Sequence, residues 1–423
     1  MEFPLIVLFS VVVVGLALSM HIGAAIGMAV LAAIFVADLP FALFAQKMYT
    51  VFDSFPLLAL PFFICVGTIL QRGSLAKDLL NVAQTLVGHK TGGLAQVSIL
   101  TCLLDASLSG SPPATTAAVG GIMIPAMKKE HYPAGFATAV STAGGTLGAL
   151  IPPSNPLIIF GAAAGVSISD LFIAVIGPGI ITACAFMLLC YWYSWRYNYG
   201  EKDRRYSWKE RFQAIYQAKW ALLVPCIVLG GIYSGIATPT EAGAVAVVYA
   251  LFAETFITKK MTREIICDIL VSTARTVGMM FFVITSAAAL GVILVYYNAD
   301  SIIGSFLTSF SSSKPVLIFI VVTILIILGT FMEPVAMILI MTPIFMPIML
   351  ECGMDPIQFG LVMGYGVVLG NITPPVGMSL YVGCAVGKIT FAEISKAILP
   401  FVLTMIAVYY LIAYVPVISL CLL

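Results

Sequence analysis

Charge is scarce in this chain. Asp, Glu, Lys and Arg make up 9% of its 423 residues, 20 basic against 19 acidic, for a formal net charge of +1. Soluble domains carry about 25% charged residues. With 61% hydrophobic residues and a mean hydropathy of +1.09, the composition excludes a water-soluble domain. Its long apolar runs mark an all-α polytopic membrane protein in a lipid bilayer. No basic tract is long enough to bind nucleic acid. The nine cysteines show no CxxC spacing, which argues against a metal ribbon or redox pair and leaves them as apolar filler. His21, His89 and His131 are far apart in sequence, so a catalytic or metal cluster is not expected. No GxxxxGK[ST] stretch is present, so the chain carries no P-loop for ATP. The first apolar stretch lacks a basic n-region and a small-residue cleavage site, and reads as retained.

Proline, glycine and hydroxyl residues are present, and they are concentrated. Residues 107–116 contain Ser107, Ser109, Gly110, Ser111, Pro112 and Pro113 between two apolar runs, 93–104 and 117–127. In hydrocarbon every backbone N–H and C=O needs a partner, so irregular backbone persists only inside protein or around a wet cavity. Two prolines donate nothing and Gly110 disfavours helix. The stretch therefore reads as the tip of a re-entrant hairpin.

Around it the spacing predicts two short spans within 5–37, broken near 19–22, an interfacial segment at 41–53 and a span at 56–70. An amphipathic surface helix follows at 72–90. After the hairpin come a span broken at 151–156, a span at 171–193 and a polar connector at 196–219. The second half repeats this order. It has spans at 220–236, 241–257 and 276–297, an amphipathic connector near 258–272 and a hairpin at 315–350 with its tip at 329–334. A span broken at 371–375 and a last span at 398–420 complete it. One ungapped offset of 222 residues puts Pro112 on Pro334, Pro125 on Pro347, Gly148 on Gly370 and Pro152-Pro153 on Pro374-Pro375. Lys90, Lys128 and Lys129 flank the first hairpin, whereas Asp300, Glu351 and Asp355 flank the second beside one Lys314. By the positive-inside bias the two copies are inverted. Both termini are then expected on the periplasmic side.

An inverted repeat with interrupted helices is the architecture of secondary transporters. The four breaks offer hard oxygen ligands for Na⁺ and half-helix N-termini for an anion. Two Na⁺ sites are expected, one per copy. The first draws on Ser109, Gly110, Ser111, Gly145 and Thr146. The second draws on Thr330, Glu333, Gly370, Asn371 and Thr373. Asp105 is either functional or a structural partner. No Lys or Arg is expected near the midplane, and Arg275 is expected to snorkel. Trp192, Trp195, Trp208 and Trp220 suit interfacial anchoring. A channel would need a continuous polar pore, and an intramembrane enzyme a base beside its nucleophile; neither pattern is apparent.

Several stretches resemble the large membrane subunit of tripartite ATP-independent periplasmic (TRAP) transporters. They are Ser109-Gly-Ser-Pro-Pro-Ala114, Pro125-Ala-Met127, Leu150-Ile-Pro-Pro-Ser154, Gly231-Ile-Tyr-Ser-Gly235, Thr238-Pro-Thr-Glu241, Phe331-Met-Glu-Pro334 and Thr373-Pro-Pro-Val-Gly377. The resemblance runs the whole chain. It implies a Na⁺-driven inverted-repeat elevator transporter with two re-entrant hairpins and two broken helices, in the bacterial inner membrane. It also implies a small four-helix membrane subunit and a periplasmic substrate-binding protein as partners. The implied cargo is an organic acid, a C4-dicarboxylate or a sialic acid, with the Glu333 tip closer to the dicarboxylate members. Ser109, Ser111, Ser154, Asn155, Glu333 and Thr373 are the implied substrate contacts. The corresponding division is scaffold and first arm at 1–90, transport half at 91–170, scaffold span and connector at 171–219, scaffold and second arm at 220–312, second transport half at 313–390 and a final span at 391–423. A stand-alone Na⁺/dicarboxylate symporter is the alternative.

Overall fold

The computed structural model describes residues 3–18, 20–73, 75–200, 204–310 and 313–423, and these are helical with short connections. The first part of the chain forms α1 (Phe3–Ala17), α2 (Ile22–Ala37), α3 (Phe41–Thr50), α4 (Ala59–Arg72) and α5 (Leu75–Val87). Next come α6 (Gly93–Ser109), α7 (Pro112–Lys129), α8 (Ala134–Gly145), α9 (Asn155–Ala164) and α10 (Ile168–Tyr197). The middle holds α11 (Trp208–Gln217), α12 (Lys219–Tyr233), α13 (Pro239–Phe252), α14 (Arg263–Tyr296) and α15 (Ala299–Phe310). The chain closes with α16 (Lys314–Gly329), α17 (Pro334–Glu351), α18 (Pro356–Gly370), α19 (Met378–Gly387), α20 (Phe391–Tyr414) and α21 (Pro416–Leu420). Among the described residues six helices are long and apolar enough to cross a bilayer, and a seventh span arises if α11 and α12, bent by 66°, count as one.

Local chemistry explains where helices start and stop, and where the expected boundaries shift. The first tip is narrower than 107–116: only Gly110 and Ser111 separate α6 from α7. Pro112 and Pro113 open α7, because a missing N–H costs nothing in a first turn. The first broken span unwinds earlier than 151. Pro152 and Pro153 cannot donate, and a proline ring collides with the carbonyl four residues back. The chain tightens to a 3₁₀ turn at Thr146–Ala149 before them. The expected connector at 258–272 and span at 276–297 are one 34-residue helix, α14. Thr262 caps its start, and no proline or glycine occurs before Gly278 to interrupt it. The last span begins at Phe391 and ends at Tyr414, where Val415 precedes a proline and leaves the helical region. Two helices lie where none is expected, α11 within the polar connector and α15 between α14 and α16. Ser19 at the first expected break, and Glu201, Lys202 and Asp203 of the connector, fall outside the described residues, as does the side chain of Asp300.

The 222-residue offset holds for the helices. It relates the starts of α7 and α17 and of α8 and α18, and the starts of α6, α9 and α10 keep it to within one residue. Elements of the two copies interleave: α19 packs on α7 and α8, and α9 on α17 and α18. A second group of contacts joins α2, α3 and α4 to α14, and α4 and α12 to α13. The amphipathic α5 turns Leu75, Leu79, Val82, Ala83 and Val87 inward against α6, α11 and α12. Its first turn is held by Glu254, whose carboxylate accepts from the Leu75 N–H at 3.0 Å.

Candidate functional site

The first tip folds on itself. Gly110 takes φ +61°, a left-handed conformation that suits glycine. A Cβ there would lie 3.0 Å from the Pro153 carbonyl and 3.3 Å from Asn155 Oδ1. Ser109 Oγ donates to the Ser111 carbonyl at 3.2 Å and accepts from the Ser111 N–H at 3.4 Å. The first turn of α7 lies directly on the first break. A Cβ on Gly145 would sit 3.0 Å from the Pro112 carbonyl, and one on Gly148 3.0 Å from the Ser111 carbonyl.

The second copy closes the same way. A Cβ on Gly370 would meet the Gly329 carbonyl oxygen at 2.1 Å. Glu333 caps α17, its side chain accepting from the Ala336 N–H at 3.0 Å. Each tip is thus held against its own copy's break by main-chain contact. Both proline pairs, Pro152-Pro153 and Pro374-Pro375, are cis.

A cavity of about 520 Å³ lies where these elements meet. Ser109, Gly110, Ser111, Asn155, Glu333 and Asn371 are in its wall. Four helices begin there: α7 at Pro112, α9 at Asn155, α17 at Pro334 and α19 at Met378. Each N-terminus presents unpaired N–H groups and about half a positive charge. Two amide oxygens have no hydrogen-bond partner, Asn155 Oδ1 and Asn371 Oδ1. Their side chains are buried, at 8% and 5% exposure. An orphaned buried acceptor is costly unless a donor or cation meets it. The cavity therefore has the chemistry for an anion at its helix starts and for a hard cation at its amide oxygens.

The other expected site residues lie apart from this wall. Ser154 Oγ donates to the Ala149 carbonyl at 2.7 Å, Thr146 Oγ1 to Ala143 at 2.6 Å and Thr373 Oγ1 to Leu369 at 2.8 Å. Each thereby stitches its own break. Gly145 packs under α7. Thr330, Gly370 and Asn371 border a second void of about 10 Å³, the size of one water-sized occupant. Asn371 belongs to both walls. Asp105 is buried and accepts from Thr115 Oγ1 at 2.8 Å, which ties α6 to α7.

One basic residue, Arg72, lines the cavity, whereas Arg275 does not. Arg72 closes α4 rather than starting the surface helix. It lies 4.0 Å from Asp268, and both side chains are more than half exposed. Gln71, Ser272 and Thr276 also line the mouth. Ser272 and Thr276 are four residues apart on α14, a polar stripe on an apolar helix that the spacing could have revealed. Ser379, buried with an unpartnered Oγ, lies just past the second break, and its N–H donates to the Asn371 carbonyl at 3.0 Å.

Comparison with known proteins places this geometry. Residues 5–418 match the family described as the tripartite ATP-independent periplasmic transporter, DctM component. The chain is 39% identical over 98% of its length to the isethionate TRAP transporter permease protein DctMQ of Oleidesulfovibrio alaskensis, of which it spans 65%. It is 34% identical to the C4-dicarboxylate TRAP transporter large permease protein DctM of Rhodobacter capsulatus, covering 99% of this chain and 98% of that one. In fold it is similar to the Alcanivorax borkumensis YdaH transporter, with a TM-score of 0.63 at 15% identity and 88% of each chain covered. With its apolar helices, this makes it a multi-pass inner-membrane protein, and the chain belongs to the DctM family, the large permease component of TRAP transporters.

Proposed function

We propose that this chain imports an organic acid anion, a C4-dicarboxylate or a sialic acid, by coupling it to Na⁺ across the bacterial inner membrane. The observation that carries the reading is the convergence of four helix N-termini and two unpartnered amide oxygens on one cavity. The helix starts draw the carboxylate. Each copy contributes one Na⁺ site where its tip meets its break, with Asn155 and Asn371 as side-chain ligands beside the unwound carbonyls. Residues 91–170 and 313–390, as two inverted copies with re-entrant hairpins, form a body that slides as an elevator. Residues 1–90 and 220–312 form the static wall. Because α10 and α20 pack against α8 and α18, we assign both to the sliding body, moving α10 there from the scaffold the sequence suggests. Both termini lie on the periplasmic side. A small four-helix membrane subunit binds the wall, and a periplasmic binding protein delivers the cargo.

The test is uptake of radiolabelled succinate and N-acetylneuraminate into proteoliposomes holding this chain, its small membrane subunit and its binding protein. Uptake should rise steeply with Na⁺ and stop when K⁺ replaces it. S111A should flatten the Na⁺ response. Uptake of equal rate in Na⁺ and K⁺ would overturn the coupling.

A further inference from the structure

A second cavity of about 510 Å³ shares Ile159 in its wall with the central one. The same helices line both. On α14, Thr276 and Met280 face the central cavity, while Ile284 and Val295 face the second. On α17 the boundary falls between Ile338 and Leu339. On α9, Asn155 faces one cavity and Ala162 the other, and Ile159 lines both as their shared wall. At about 1.5 Å per residue, the α14 stretch from Ser272 to Val295 runs about 35 Å, which spans the roughly 30 Å core of a bilayer. The cavities are stacked back to back along that helix.

Each cavity has one basic residue in its wall, Arg72 in the first and Lys47 in the second. Both belong to helices packed on α14: α4 carries Arg72 and α3 carries Lys47. Lys47 is exposed and forms no ion pair among the described residues. Among the described residues it is the only charged one lining the second cavity, beside Thr50 and Ser54. An unpaired cation at the edge of an apolar cleft raises the local concentration of anions.

We propose that Lys47 is the cation that meets the anionic cargo on the face opposite Arg72. This rests on the transport reading above. Sliding of α9 and α17 along α14 carries the four helix starts away from Arg72 and toward the second cavity. The anion then meets Arg72 in the present conformer and Lys47 in the alternate one. A lysine that merely snorkels to the membrane surface would have no sided effect on transport.

The experiment uses the chain with its small membrane subunit in right-side-out and inverted membrane vesicles, with its binding protein supplied in excess on the periplasmic face. The probes are radiolabelled succinate, N-acetylneuraminate and isethionate in saturating Na⁺, and KM is measured from each face for whichever anion the wild type carries. K47Q should raise the ratio of KM at the Lys47 face to KM at the Arg72 face about tenfold, and R72Q should lower it by a smaller factor, because Asp268 lies 4.0 Å from Arg72 and screens it. K47R should keep the wild-type ratio, and gel filtration of each variant separates misfolding from altered recognition. A K47Q ratio within about twofold of wild type would overturn the proposal, and that is the result expected if a lipid chain fills the cleft. If the wild type carries none of the three anions, the transport reading falls, and this proposal with it.

Discussion

Replacing Gly370 with alanine tests the contact that joins the second tip to its break. A Cβ on Gly370 falls 2.1 Å from the Gly329 carbonyl oxygen, 2.5 Å from its carbonyl carbon and 2.8 Å from its Cα. All three are main-chain atoms, so no rotamer change relieves the clash. Ordinary contact begins near 3.4 Å, so the ends of α16 and α18 must part by more than about an ångström, and overpacking of this kind costs about 1–3 kcal/mol. With backbone on both sides, the upper end of that range applies. Gly121 is the control. Its Cβ would meet nothing within 4 Å, and alanine is the better helix former there. Thermal unfolding of the detergent-purified proteins, followed by tryptophan fluorescence, gives the comparison. G370A should melt several degrees lower, G121A at or slightly above wild type, and G370A should lose its thermal response to Na⁺. If G370A melts within about 1 °C of wild type, where each kcal/mol is worth about 2–4 °C in a domain of 150–250 residues, the two backbones are not in contact as described.

Three further outcomes follow from individual side chains. N155A removes an orphaned buried oxygen, so without Na⁺ its melting temperature should equal or exceed that of wild type, while the upward shift on adding Na⁺ should shrink; an intact Na⁺ shift would clear Asn155 as a ligand. G110A puts a Cβ at φ +61°, which costs about 1–2 kcal/mol before the approach to Pro153, and both melting temperature and uptake rate should fall. Asp78 on α5 is held above its ordinary value of 3.8, first by burial and then by the charge of Glu254. A raised carboxyl pKa means that its stabilising contribution is present at low pH and lost as pH rises through the folded value. D78N should therefore stabilise the protein at neutral pH, and melting curves between about pH 4 and 8 should show that gain shrinking toward the acid end.

Much of the fold is legible because the bilayer restricts the backbone so severely. Apolar length and proline position alone indicate most spans and both breaks, since an N–H missing from a buried helix has to be accommodated locally. What the sequence hides depends on tertiary contact. Thr276 and Arg275 are neighbours in the chain, yet only Thr276 reaches the cavity, because α14 is one continuous helix whose face is set by packing on α2, α4 and α17. Arg72 looks like the start of a surface segment, whereas it closes α4. The α11 helix is signalled by Ser207 and Glu210, a capping box, but a charged connector gives few apolar positions to betray it. Ser154, Thr146 and Thr373 show the converse limit. Their hydroxyls suit an ion site by type, and each also donates its proton to a local carbonyl, a partner that short hydroxyl side chains take readily and that residue type alone does not reveal.

The charge balance of the cavity bears on why coupling to a cation is the economical reading. Four helix starts supply about two positive charges in total, each contributing roughly 0.3–1 kcal/mol and up to about 2 when partly buried. Glu333 stands among them and spends part of that field, since its carboxylate already accepts from the α17 N-terminus. Arg72 is more than half exposed and close to Asp268, so water and a counter-charge screen it. A carboxylate entering the cavity therefore finds oriented dipoles but no buried cation facing it. An unpaired buried charge is costly, and these dipoles fall short of compensating it. The same wall holds the Asn155 and Asn371 oxygens, which accept no hydrogen bond from the described residues and suit a positive charge. A cation at those oxygens and an anion at the helix starts remove each other's penalty, whereas either alone leaves the other group unsatisfied. On the proposed coupling, this mutual requirement would make loading with one partner weak and loading with both strong, which is what a symporter needs to avoid moving its ion without its cargo.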